Sequence, residues 1–356
     1  MTHSDPVIEW LLDSDPSIRW QVMRDLLDLP AREWMTERAR VESDGWGARL
    51  LSCQDADGQW AGGAFIPVGF DEQQWREHGQ PWTATSFSLS QLREFGLDPS
   101  SERAKRTVEL IGANARWEEG GQPFWQGEVE ECINGRTVAD GAYFGIDVSP
   151  IVDRLTSERL EDGGWNCERI NGSHRSSFAS TINVLEGLLE FERSTGGTPQ
   201  SREARRTGEE FLLERHLFRR LATGEPADKN FLQFLHPNRW RYDVLRALDY
   251  FRASAVLTAA APDPRLGEAI DYPLPAPSGR SLGTRLEPVG ACVVPSRRRT
   301  WRALAMDHAP RDAGAQMVGR SALNRYLTPS PARAGNASRS CAAIRRDQRV
   351  FRRWAD

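Results

Sequence analysis

The segment Leu50-Leu51-Ser52-Cys53-Gln54-Asp55-Ala56-Asp57-Gly58-Gln59-Trp60 and its echo Asp162-Gly163-Gly164-Trp165 constrain this chain more than any other feature. In the first, an apolar pair on a helix leads through Gln54 into a Gly-x-Trp turn. Glycine supplies the positive φ that stops a helix. Tryptophan covers the turn, and a glutamine amide can bond the helix-end groups that lack a backbone partner. Used repeatedly, such a unit builds a ring or solenoid of helix pairs.

The rest of the pattern agrees. Apolar spacing over residues 7–29, interrupted at Asp15-Pro16, predicts two short helices, and Trp34 to Gln54 reads as one continued helical stretch. Pro81-Trp82-Thr83 opens a helix that stops at Gly96, and Arg103–Ala115 is amphipathic. Further helices are predicted from about Thr137 to Phe144, over Ile151–Leu160, Ser177–Phe191, Ala204–Leu221 and Tyr242–Ala255. Charged helices alternate with apolar ones at a period of roughly 45–55 residues. Thr83–Leu92, Val138–Phe144, Phe178–Leu189 and Val244–Phe251 are therefore expected to be inner helices, covered on most sides. The fold class expected is all-α, an α/α toroid over residues 1–271.

Composition narrows the function. Thirteen Trp in 356 residues suit a repeat core or an aromatic cavity. No leader and no membrane-spanning run is evident, and five Cys at irregular spacing suggest no disulfide framework, so a cytoplasmic location is the expectation. From Tyr272 onward there are 16 Arg, no Lys and 5 acidic residues, a net of +11 against −15 for residues 1–271. So acidic a body is not expected to bind nucleic acid.

Gln54–Trp60 resembles the QW motif of the squalene-cyclase and protein-prenyltransferase superfamily, with Arg159 replacing the glutamine in the second copy. Glu131-Cys132-Ile133-Asn134-Gly135-Arg136-Thr137, Asp162 to Glu168, Ser176-Ser177-Phe178 and Ile182 to Leu188 resemble small bacterial squalene cyclase-like proteins. The resemblance implies an α/α toroid binding an apolar ligand of isoprenoid type. Cyclases of this kind use an Asp-x-Asp-Asp acid, which is absent here; Asp55 and Asp57 lie in an outer turn, where a solvated cap is the plainer reading. Asp140 is the candidate catalytic acid, and its bland alternative is a solvent-facing carboxylate or an i,i+4 pair with Arg136. Trp82, Arg136, Tyr143, Phe178, Trp240 and Tyr242 are the substrate-binding candidates. Arg175 and Arg239 are placed near the same mouth by helix-start position, with Arg forks for anionic oxygens and aromatic faces for cations.

Prenyltransferases hold zinc with Asp, Cys and His. Glu131-Cys132 could supply two ligands here, but the start of the next inner helix reads Phe178-Ala179-Ser180, leaving His174 as the substitute and Cys167 as an alternative partner. The expectation is no tightly bound zinc and no cofactor. The rival to ligand binding is a non-catalytic helical scaffold for a protein or peptide. A central cavity plugged by Leu, Arg and Glu would favour that rival. Residues 272–356, rich in Arg and Pro, read as an out-of-frame, disordered tail that has cost the fold its last hairpin. A one-base shift forces Trp at both Met306-Asp307 and Met317-Val318.

Overall fold

The computed structural model describes residues 5–233 and 237–272, and these are predominantly helical without a β-strand. In order the helices are α1 (Pro6–Leu12), α2 (Pro16–Asp25), α3 (Ala31–Ala39), α4 (Gly45–Ser52), α5 (Glu72–His78), α6 (Thr85–Phe95), α7 (Glu102–Asn114), α8 (Glu131–Tyr143), α9 (Ser149–Ser157), α10 (Phe178–Thr195), α11 (Pro199–Glu214), α12 (Val244–Thr258) and α13 (Gly267–Asp271). Side-chain caps define many starts. Asp15 accepts from the Ser17 amide with Pro16 opening α2, which is the break expected there. Ser101, Ser177, Thr198 and Asp243 cap α7, α10, α11 and α12 in the same way.

Helices α6, α8, α10 and α12 pack each on the next, while α4 lies against α6, α9 against α8, α11 against α9 and α10, and α13 against α12. The first three of the inner set bury most of their residues, whereas α3 buries none. The tightest junction is between α8 and α10. A Cβ at Gly135 would stand 2.4 Å from the Asn183 carbonyl oxygen, and one at Gly187 would stand 2.3 Å from the Gly135 oxygen, so the two backbones touch only because both residues are glycine.

Both Gly-x-Trp turns make the same bonds. Trp60 Nε1 donates to Leu50 O at 2.8 Å and its amide to Thr85 Oγ1 at 3.1 Å; Trp165 Nε1 donates to Leu155 O at 2.7 Å and its amide to Thr181 Oγ1 at 3.1 Å. Each ring is completely enclosed. Gln54 does not bond open helix-end carbonyls as expected. It donates to Gly58 O and accepts from Thr107 of the next outer helix, and Arg159 reaches Thr207 in the corresponding place. The departure from glutamine therefore preserves the contact.

Several boundaries differ from expectation. The stretch from Trp34 to Gln54 is interrupted by a 3₁₀ turn and by Gly45 at φ +67°, against which the Asp15 carboxylate is packed. Helix α6 starts at Thr85, because Trp82 has a positive φ of 55°. Helix α8 starts six residues early, at Glu131: Gly135 weakens its intrinsic propensity, but packing on α10 outweighs that cost of about 1 kcal/mol. No helix among the described residues is long and apolar enough to cross a membrane. The expectations for the tail beyond Tyr272, including the shifted frame, lie outside the described residues.

Candidate functional site

Polar and charged side chains stand at helical spacing on three of these helices, Ser90 and Arg93 on α6, Arg136 and Asp140 on α8, and Asn183, Glu186 and Glu190 on α10, with Arg246 on α12. The stripes meet. Arg93 Nε donates to Asp140 Oδ1 at 2.8 Å and Ser90 Oγ to Asp140 Oδ2 at 2.6 Å, tying α6 to α8. Arg246 grips Glu186 through Nε and Nη2 at 2.7 and 2.6 Å and donates to Asn183 Oδ1 at 2.9 Å, tying α12 to α10. These groups lie deep among protein atoms, yet Arg93 and Glu186 keep 19% and 29% of their side-chain surface accessible. The two ion pairs are therefore partly reached by solvent.

Asp140 is buried and neither faces bulk solvent nor pairs i,i+4 with Arg136; its partner is Arg93 from the neighbouring helix. Burial pushes its carboxyl upward, and Arg93, Arg136 and Ser90 pull it down. Arg93 itself is held above its usual value, since Asp140, Glu94 and Glu190 outweigh the cost of burial. With a donor on each oxygen, the ionised pair is the form the geometry holds. Glu186 is lowered: burial opposes ionisation but Arg246, Arg93 and Arg136 prevail. Arg136 is lowered, burial being the largest influence.

Of the substrate-binding candidates, Trp82, Arg136 and Trp240 come together at the amino ends of the inner helices. Arg136 donates to Arg239 O, Asn183 Nδ2 to Trp240 O at 2.8 Å, and Arg239 stands 5.1 Å over the Trp82 ring. Arg241 reaches the faces of both indoles. Tyr143 lies elsewhere, at the carboxyl end of α8, where its hydroxyl donates to Leu97 O and accepts from Arg38. Phe178 and Tyr242 form an aromatic cluster with Phe231, and Phe178 also meets Phe211 of the outer helix α11; the Tyr242 hydroxyl donates to Leu217 O at 2.5 Å. Arg175 is exposed in the loop before α10.

A second corner lies at the start of α8. Cys132 Sγ is 2.7 Å from Cys167 Sγ and 3.8 Å from Glu130 Oε2, and all three side chains are buried. Glu131, expected beside Cys132 as a ligand, turns instead to Arg169 at 2.7 Å. His174 is exposed and outside this cluster. Burial, followed by the nearby Cys167, raises Glu131 to about 7, and burial also raises Glu128.

Arg93, Glu186, Arg246, Glu130 and Ser90 were not expected as site residues. The readable signal was the stripe: Asn183, Glu186, Glu190 and Arg193 interrupt the apolar α10 at spacings of three and four. No protein-family model matches the chain, and a search of curated proteins returns no match.

Proposed function

We propose that this chain is an α/α toroid of the terpenoid cyclase and prenyltransferase kind that serves as a non-catalytic helical scaffold, its inner surface taking a protein or peptide segment. For the toroid, the support is the identical bonding of the two Gly-x-Trp turns and the meeting of the loops before α6 and α12, where Arg239 covers Trp82. An α6–α8–α10–α12 row in which the loops before the first and last helices meet is what a ring requires. The observation that carries the function is the ionic lining. A polyene lying against Arg93–Asp140 and Arg246–Glu186 would strip water from charges without replacing it, and a carboxylate engaged by Arg93 and Ser90 is not poised to protonate an alkene. A segment carrying both charge signs meets no such penalty.

A second reading, an isoprenoid-type ligand with an anionic head, is favoured by one feature: Arg239 and Arg241 stack on Trp82 at the mouth. Native mass spectrometry and lipid extraction of the purified chain separate the two, together with thermal-shift titrations of squalene and farnesyl diphosphate. The scaffold reading expects no retained isoprenoid and no shift with either compound. One isoprenoid retained per chain, or a saturable shift, overturns it.

A further inference from the structure

We infer that Asn171 is a site of spontaneous covalent modification, deamidating through a succinimide to aspartate and isoaspartate, and that the change loosens the 3₁₀ turn Cys167–Asn171. The chain contains two Asn-Gly pairs, Asn134-Gly135 and Asn171-Gly172. Such a pair favours the reaction, because glycine has no side chain to obstruct the approach of its backbone nitrogen to the asparagine Cγ. The fold gives the two pairs opposite fates.

Asn134 is wholly enclosed and both ends of its amide are engaged: Oδ1 accepts from the Glu128 amide and Nδ2 donates to the Glu128 carbonyl, each at 2.7 Å. Gly135 lies inside α8 with its backbone against Asn183, so freeing its nitrogen means undocking α8 from α10. Asn171 and Gly172, in contrast, are exposed at the end of a short 3₁₀ turn. Among the described residues, no atom beyond the chain neighbours stands within 4 Å of where a Cβ would sit on Gly172, so the residue has room to turn. The Gly172 amide bonds Arg169 O and the Ser173 amide bonds Glu168 O, both at 3.0 Å. Bonds at a solvent-exposed turn end open locally at little cost.

Once the Gly172 N–H loses its proton to base in the solvent, the nitrogen attacks Cγ of Asn171. The Cγ–Nδ2 bond breaks, Nδ2 takes up a proton and leaves as ammonia, and a succinimide ring remains. Water then opens either ring carbonyl, giving aspartate or isoaspartate. One water is consumed, one ammonia is released, and nothing is oxidised or reduced. Asn171 Nδ2 donates to Glu168 Oε2 at 2.8 Å, a bond that neither product can make. The new carboxylate instead stands beside a like charge. Isoaspartate also lengthens the main chain by one carbon, which pulls the Gly172 amide off Arg169 O. Arg169 pairs with Glu131 at 2.7 Å and with Glu158 at 2.8 Å, so a loosened turn weakens its tie between the start of α8 and the end of α9.

The inference rests on no part of the scaffold reading. The full chain is aged in mildly alkaline buffer, folded and in urea, and mapped by peptide mass spectrometry together with enzymatic methyl labelling of isoaspartate. In the folded sample the Asn171 peptide should gain the mass difference between an amide and an acid and become a methyl acceptor, while the Asn134 peptide stays unchanged. In urea both peptides should convert. Asn171→Gln, which keeps the amide but requires a larger ring, should lose the reaction, as should Gly172→Ala. Should alanine at a φ of +91° prevent folding, Asn171→Gln carries the test. Asn171→Asp makes one product directly and should lower Tm by about 2–4 °C, the scale expected for a lost bond to a charged group in a chain of this size. An unchanged Asn171 in the folded chain, under conditions that convert Asn134 in urea, overturns the site. Equal conversion of the two asparagines in the folded chain overturns the selection by the fold. An Asn171→Asp chain as stable as wild type overturns the loosening of the turn.

Discussion

Helix α8 carries two buried polar regions that differ in how their charge is balanced. Toward its carboxyl end Asp140 is matched by Arg93, and Glu186 by Arg246 on the neighbouring pair of helices. At its amino end Glu131 pairs with Arg169, and Glu128, Glu130, Cys132 and Cys167 are buried around that pair. A balanced buried network holds helices in register, whereas an unbalanced one either keeps its protons or takes a counter-ion. The same helix thus carries a paired network at one end and a buried cluster of acids and thiols at the other.

The sharpest way to break this comparison is to remove one member of the balanced set. Asp140→Ala leaves Arg93 deep in the fold without its carboxylate. Breaking a buried pair in this way costs about 3–5 kcal/mol, and because Arg93 keeps 19% of its side chain accessible the lower end is expected. Urea unfolding should show a lower midpoint with an unchanged m value. A loss under about 1 kcal/mol would mean that water replaces Asp140 and that the lining is not a structural network.

A smaller effect is expected where the two regions are joined. Gly135→Ala drives a Cβ to 2.4 Å from the Asn183 oxygen, a clash with backbone that only a shift of α8 against α10 relieves. Overpacking of this kind costs about 1–3 kcal/mol. The variant should therefore unfold at a lower urea concentration than the wild type. An unchanged midpoint would show that α8 can shift against α10 at no cost.

Much of the helical frame was legible from spacing and punctuation. The break at Asp15-Pro16, the amphipathic α7, the apolar character of the inner helices and the glycine–tryptophan turns each follow from a local rule. Local rules also placed Trp82, Arg136 and Trp240 near a common end, because helix starts can be read from a sequence. They could not show which neighbour Asp140 meets. The i,i+4 rule offers Arg136, whereas the packing of α8 on α6 brings Arg93, 47 positions away. The approach of Cys132 to Cys167, 35 residues apart, was illegible for the same reason. The close backbone contact at Gly135 and Gly187 fixes α8 against α10, and a glycine in a helix reads locally as a weakness.

The mildest test concerns protons at the unbalanced end. Glu131 has a folded pKa of about 7, raised from 4.5 mainly by burial. Between those values the folded chain holds a proton that the unfolded chain releases. A raised carboxyl of this kind favours the fold at low pH, and its contribution is lost as pH climbs from about 4.5 through 7. The value of about 7 already includes the lowering by Arg169, and because Glu131 is only partly screened from solvent a loss on the order of 1–3 kcal/mol across that window is expected. It should be read as the difference between wild type and Glu131→Gln, both stripped of metal, in unfolding experiments at a series of pH values. The variant should be the flatter of the two and the more stable above pH 7. Parallel curves for wild type and variant in the stripped state would show that Arg169 fully compensates Glu131. The amino end of α8 would then be as balanced as the carboxyl end, and the contrast between them would fail.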